Sequence, residues 1–244
     1  MIVKGYDKFD HDNKVIKFTN YCDNVLDLKN AKLGKEYHYN NITSCVIDAV
    51  FSIGISYQQT QKVVERYNEY FKLKEFRNGD DFPPINNQDS LDNLINKTKK
   101  ITPEIMANKI YKNRCRTDTH KSSILKSEAV LLFSMALKSF GINYLQNIKK
   151  YIGNEELEKK IKKIRGQSSG ISLDYFFMLA GDNDYIKADR MMLRFFKDAI
   201  NEIPNKYSIQ KIMIDATNIL KNKYPQLTPK MLDHQLWLYQ REKK

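Results

Sequence analysis

After Asn40, apolar positions recur at three- and four-residue spacing, the period of a helix with one buried face. Only the opening departs from it. Lys14 to Thr19 (KVIKFT) alternates apolar and polar, and Met1 to Lys4 is short and apolar, so both predict strand. Val46, Ile47, Val50 and Phe51 then predict a helix capped by Thr43 or Ser44, and Val63, Val64, Tyr67, Tyr70 and Phe71 predict a second capped by Thr60. The Gly, Asp and Pro content of 78–84 (NGDDFPP) marks a loop. Further helices are predicted at 89–98, 103–112, 122–140, 143–152, 154–164, 171–181, 189–202, 208–223 and 228–241, with Gly141, Gly153, Gly181 and Pro204 as punctuation. The fold class is all-α, with a short N-terminal β segment.

With 244 residues, 41% of them hydrophobic, the chain can bury a core, and its 15 Tyr and 12 Phe exclude wholesale disorder. The longest uncharged apolar runs, 129–137 and 175–181, are shorter than the ~18–20 residues of a bilayer span. The opening MIVKGYDKFDHDNK becomes charged before any apolar signal core develops. Both features point to an intracellular protein without a membrane partner, cytoplasmic or nucleoid-associated. Cys22, Cys45 and Cys115 are too few and too far apart for a disulfide framework or a CxxC metal site. His11, His38, His120 and His234 show no metal-ligand spacing, and no P-loop, GxSxG or Rossmann signature occurs, so neither metal nor cofactor is expected.

The formal charge of +12 is concentrated: 92–165 holds 17 Lys and Arg against 7 Asp and Glu. A basic segment within a folded domain suits a phosphate backbone, because each neutralised phosphate releases condensed counterion. A solvated lysine-rich surface has the same composition, so charge alone leaves both readings open.

The segment 164–196 carries the most specific pattern: a Gly- and Ser-rich turn (Gly166, Gln167, Ser168, Ser169, Gly170), an apolar helix, a polar turn at Gly181 to Asp184, then Asp189 opening a helix with Arg194 five residues on. This order resembles the helix-hairpin-helix DNA glycosylase superfamily. Ile42 to Phe71 resembles that superfamily's paired helices beside the lesion pocket, and 108–166 follows its path to the hairpin. The resemblance covers about 42–200.

It implies a two-lobed fold: 40–185 as a helical, barrel-like lobe with the hairpin at 164–172, and 1–39 plus 186–244 as the second lobe, with a cleft between Gly170 and Asp189. It implies DNA as partner, gripped through phosphates by hairpin amides together with Arg114, Arg116, Lys121, Lys162, Lys163, Arg165 and Ser172. It also implies a flipped base met by Gly54, Tyr57, Gln58 or Gln59. Asp189 is the catalytic candidate, since a carboxylate can stabilise the positive charge that develops on a sugar as its N-glycosidic bond breaks. A macrodipole-placed helix-opening carboxylate is the competing reading of Asp189.

The sequence also departs from the family. Ser168 stands at the first hairpin glycine, where a Cβ is costly at positive φ. Ser172 occupies the place of the Schiff-base lysine of bifunctional members, which implies a monofunctional enzyme. The family cluster of four cysteines is missing, so no iron–sulfur centre is expected. Lys187 is read as solvent-facing, and Trp237, His120 and His234 as packing or capping residues. The implied function is monofunctional base excision of a modified or mismatched base. The alternative is a catalytically inactive DNA-binding or protein-interaction module of the same shape.

Overall fold

The structure is a computed structural model that describes residues 8–243. The described residues are all-helical, and their only extended pairings are isolated bridges, Tyr39 with Phe76 and Arg116 with Leu125. None of their helices is long and apolar enough to cross a membrane. The chain divides into two compact units, residues 35–182 and a discontinuous unit of 1–34 with 183–244.

The expected strand at Lys14 to Thr19 is instead part of helix α1, Lys8–Val25. Its buried residues, His11, Val15, Phe18, Thr19 and Cys22, keep helical spacing, whereas Ile16, which alternation would pair with Phe18, is exposed. The apolar Met1 to Lys4 lies outside the described residues. In the discontinuous unit, α1 packs against α9 (Arg190–Ile200) and α10 (Lys206–Leu220), and α11 (Pro229–Glu242) covers α9. Phe18 anchors this core, stacked on Phe196 at 4.4 Å and edge-on to Phe195 at 5.7 Å.

The unit 35–182 is built around α2, Ile42–Phe51, every residue of which is buried. It packs against α3 (Tyr57–Tyr70), α6 (Lys126–Lys138) and α8 (Ile171–Leu179). The caps differ from expectation: Asn41 precedes α2 without a side-chain cap bond, and Ser56, accepting from the Gln59 N–H, caps α3. Thr43, Ser44 and Thr60 are buried within their helices. After α4 (Leu91–Ile101), the predicted helix 103–112 becomes one turn, α5 (Pro103–Ile105), and a π turn over Met106–Ile110. Arg66 donates to the carbonyls of Tyr111 and Lys112 there, and Lys112 leaves the helical region at φ +47°. The segment 143–152 forms two 3₁₀ turns, Leu145–Asn147 and Lys149–Tyr151, and Asn147 Oδ1 accepts the N–H groups of Asn143 and Tyr144 ahead of the first.

Candidate functional site

A turn at 163–170 joins α7 (Glu155–Lys162) to α8. Gln167 N–H bonds Ile164 O at 2.9 Å and Gly170 N–H bonds Gln167 O at 3.0 Å, closing two successive turns. The left-handed positions are Gly166 (φ +79°) and Gly170 (φ +75°). Ser168 is not left-handed, which removes the cost its Cβ was expected to carry. The exposed Ser168 and Ser169 make no backbone N–H bond to an acceptor among the described residues, and Ser169 Oγ accepts the Ile171 N–H at 3.3 Å. Two free amides at the foot of a nine-residue helix are suited to an anion. Gln167 and Ser172 point inward, 2% and 1% exposed, so neither side chain reaches an external ligand.

This turn is docked on the loop 112–125, where a Cβ on Gly166 would lie 2.3 Å from Thr117 Cβ. Thr117 N–H bonds Ile124 O at 2.9 Å, and Arg165 Nε approaches Asp118 at 3.4 Å. The basic residues expected at the interface fall into two groups. Arg114 holds Asn108, Arg116 holds the Ser123 carbonyl, and Lys162 pairs with Glu158 at 2.7 Å. Lys121 and Lys163 are exposed and join no ion pair among the described residues.

On the pocket side, Gly54 is exposed at φ +73° in the turn between α2 and α3, and Gln58 and Gln59 are exposed on the first turn of α3. Tyr57 is half-buried, and its hydroxyl donates to Glu36 Oε2 at 2.9 Å. Burial raises the Glu36 carboxyl above the usual range, against the lowering effects of a backbone hydrogen bond and Tyr57. Nearby, Tyr39 donates to buried Asp48 at 2.9 Å, and burial followed by Asp48 holds Tyr175, on α8, far above an ordinary tyrosine.

A residue that sequence reasoning passed over sets this turn. The last carbonyls of a buried helix need donors, and Lys126 Nζ supplies them to Val50 O and Phe51 O at 3.1 Å each and to Ile53 O. Burial lowers the Lys126 amine to about 8. The folded chain therefore holds this proton less tightly than the unfolded chain, where the value is 10.5. The associated stability is fully present above pH 10.5 and is lost as the pH falls toward about 8. Relative to Lys126→Met, the wild type should gain roughly 2 kcal/mol between pH 8 and 10 in urea unfolding. A pH-independent difference would contradict this assignment.

Asp189 is the N-cap of α9, its Oδ1 accepting from Met191 N–H at 2.8 Å and Met192 N–H at 3.3 Å. Lys187, expected to face solvent, is instead mostly buried, with Nζ 3.7 Å from Asp189 Oδ2. A second acid, Asp233 on α11, is 7% exposed. Burial, then the charge of Asp189, raises the Asp233 carboxyl well above its ordinary value. Nothing in the pattern of α11 singles Asp233 out, since its surroundings arise only where 183–189 meets that helix, Lys230 N–H bonding Asn183 O at 3.1 Å. His234 is buried and neutral, lowered to about 4, and its ring stacks with Trp237 at 5.9 Å, as packing residues do. His120 bonds Ser122 within its own loop.

A family model described as "Domain of unknown function (DUF8548)" matches residues 16–241, and the chain belongs to that family. Comparison with curated proteins and with solved structures finds no match.

Proposed function

We propose that this family member is a monofunctional DNA glycosylase-like protein, which holds DNA by its phosphates and hydrolyses the N-glycosidic bond of a modified or mismatched base. The observation that carries the reading is the turn 164–170, with two left-handed glycines and the free amides of Ser168 and Ser169 ahead of α8. Such a turn offers backbone donors to a phosphate without a side chain. Asp189 supports the chemical half. Two backbone N–H groups and Lys187 hold its carboxylate in one orientation, so no reorganisation is needed as positive charge develops on a sugar. Ser172, buried and without an amine, supports water as the nucleophile.

One observation favours the binding-only alternative: the same bonds that orient Asp189 are those of an ordinary helix cap. Excision assays on a panel of modified and mismatched duplexes separate the two readings. Both require salt-sensitive binding. The affinity for duplex DNA should fall linearly on a log–log salt plot, with a slope of about −0.9 per phosphate neutralised. Lys121→Glu with Lys163→Glu should make that slope shallower by about 2. Salt-insensitive binding, or no binding to duplex or single strand, would count against both and favour a protein partner.

A further inference from the structure

Between α6 and α7 the chain brings two lysines to one aromatic pair. Phe140, just after α6, and Tyr151, in the second 3₁₀ turn, are half-buried and stand edge-on with ring centroids 6.0 Å apart. The Lys150 ammonium lies 5.0 Å from the centre of the Tyr151 ring. That of Lys160, on α7, lies 5.8 Å from the centre of Phe140 and donates to Ser139 Oγ at 2.7 Å. Ring faces and a hydroxyl thus fix where two otherwise flexible cations stand. Both lysines are exposed, and neither joins an ion pair among the described residues. The nearby acids of α7 are engaged elsewhere, Glu155 and Glu156 both with Lys159, at 4.0 and 2.8 Å.

We propose that Lys150 and Lys160 form a second phosphate-binding point for a DNA backbone, continuous with the turn 163–170. The link is α7. Lys163, its C-terminal cap, keeps helical geometry (φ −74°, ψ −17°) three residues after Lys160, and residues so spaced are surface neighbours, ~5–6 Å apart at Cβ. Beyond it come the amides of Ser168 and Ser169, so cations and backbone donors succeed one another from the aromatic pair to the foot of α8. A phosphodiester suits them: each ammonium is a compact point charge without a carboxylate partner, and pairing it with a phosphate releases condensed counterion. Cations already held in place also lose less freedom on binding than unrestrained ones. Neither Lys150 nor Lys160 is among the residues that the resemblance implies. The proposal rests on the DNA-binding half of the proposed function and not on base excision.

The test uses the full chain in three forms: wild type, Lys150→Gln with Lys160→Gln, and Lys29→Gln with Lys221→Gln, which removes the same charge from exposed positions of the discontinuous unit. Melting establishes that each folds. In duplex titrations across salt, the first double variant should give a log–log slope shallower by about 2 than wild type, since each phosphate contributes about 0.9, and the second should keep the wild-type slope. Acetylation of lysine amines reads the contact directly: bound duplex should slow the labelling of Lys150 and Lys160 several-fold and leave Lys29 and Lys221 unchanged. Should the first double variant fail to fold, Lys150→Gln alone, which leaves the Ser139 bond in place, is read for a change of about 1. An unchanged slope would overturn the proposal, as would an equal change in both double variants, which is the effect of net charge alone. Labelling of Lys150 and Lys160 that ignores DNA would do the same. Excision without the slope change would leave the glycosylase reading standing and remove the second binding point, and the slope change without excision would do the reverse. A wild type that binds no DNA would overturn both.

Discussion

Asp189→Asn is expected to lower single-turnover excision by more than ~10²-fold while leaving DNA affinity intact. The substitution keeps the side chain's size, and the amide oxygen can still accept from Met191 and Met192, so α9 keeps a cap. Only the negative charge is lost, along with its attraction to Lys187 at 3.7 Å. A loss confined to the chemical step, with melting temperature within a few degrees of wild type, would assign that charge to the transition state. Abasic DNA should accumulate intact in the wild-type reaction, because Ser172 cannot form the imine that leads to β-elimination. Borohydride trapping of an enzyme–DNA adduct would move the nucleophile to an amine, with Lys187 the first to examine. Full activity in Asp189→Asn would leave Asp189 with its capping role alone.

Gly166→Ala should be among the most destabilising single substitutions in the unit 35–182. The residue sits at φ +79°, where a Cβ is strained, and that Cβ would fall 2.3 Å from Thr117 Cβ, far inside contact distance. The backbone strain costs about 1 kcal/mol and the overlap a further ~1–3 kcal/mol, so urea unfolding should show a loss of about 2–4 kcal/mol. The turn 163–170 and the loop 112–125 would be forced apart, and on the proposed function DNA affinity should fall with them. The Thr117→Gly background separates the two causes, because there only the strain remains and the penalty of Gly166→Ala should shrink to about 1 kcal/mol. Gly54→Ala provides a comparison: it has φ +73° with no atom within 4 Å of the added carbon, so it should show the strain alone.

The helices after Asn40 are legible because their buried faces repeat along one strip, as Val63, Val64 and Tyr67 do on α3. Lys14 to Thr19 misleads because six residues are too few to separate two periods, and the residues that decide it, His11 and Cys22, lie outside the window. Ser56 with Gln59 three residues on carries a helix-start pattern, and it is a better guide to the start of α3 than Thr60. At the candidate site, the hairpin glycines and the position of Asp189 at a helix start are local properties and can be read from the chain. The surroundings of Lys126 and Asp233 cannot. Lys126 reaches carbonyls at 50, 51 and 53, and Asp233 feels the charge of Asp189, so both depend on elements far apart in sequence meeting in space.

The discontinuous unit also imposes an order on synthesis. Its α1 emerges first, yet Phe196, Ile212 and Leu236, which share its core, follow only after the whole of 35–182. At ~5–20 residues per second that interval is roughly 7–30 s, long enough for the uninterrupted unit to fold first. Phe18 and Cys22 remain uncovered throughout, on a helix too weak to persist alone. A ribosome-stalled chain just long enough for residue 182 to have cleared the exit tunnel should therefore present α1 as an accessible chaperone target beside an already protease-resistant body.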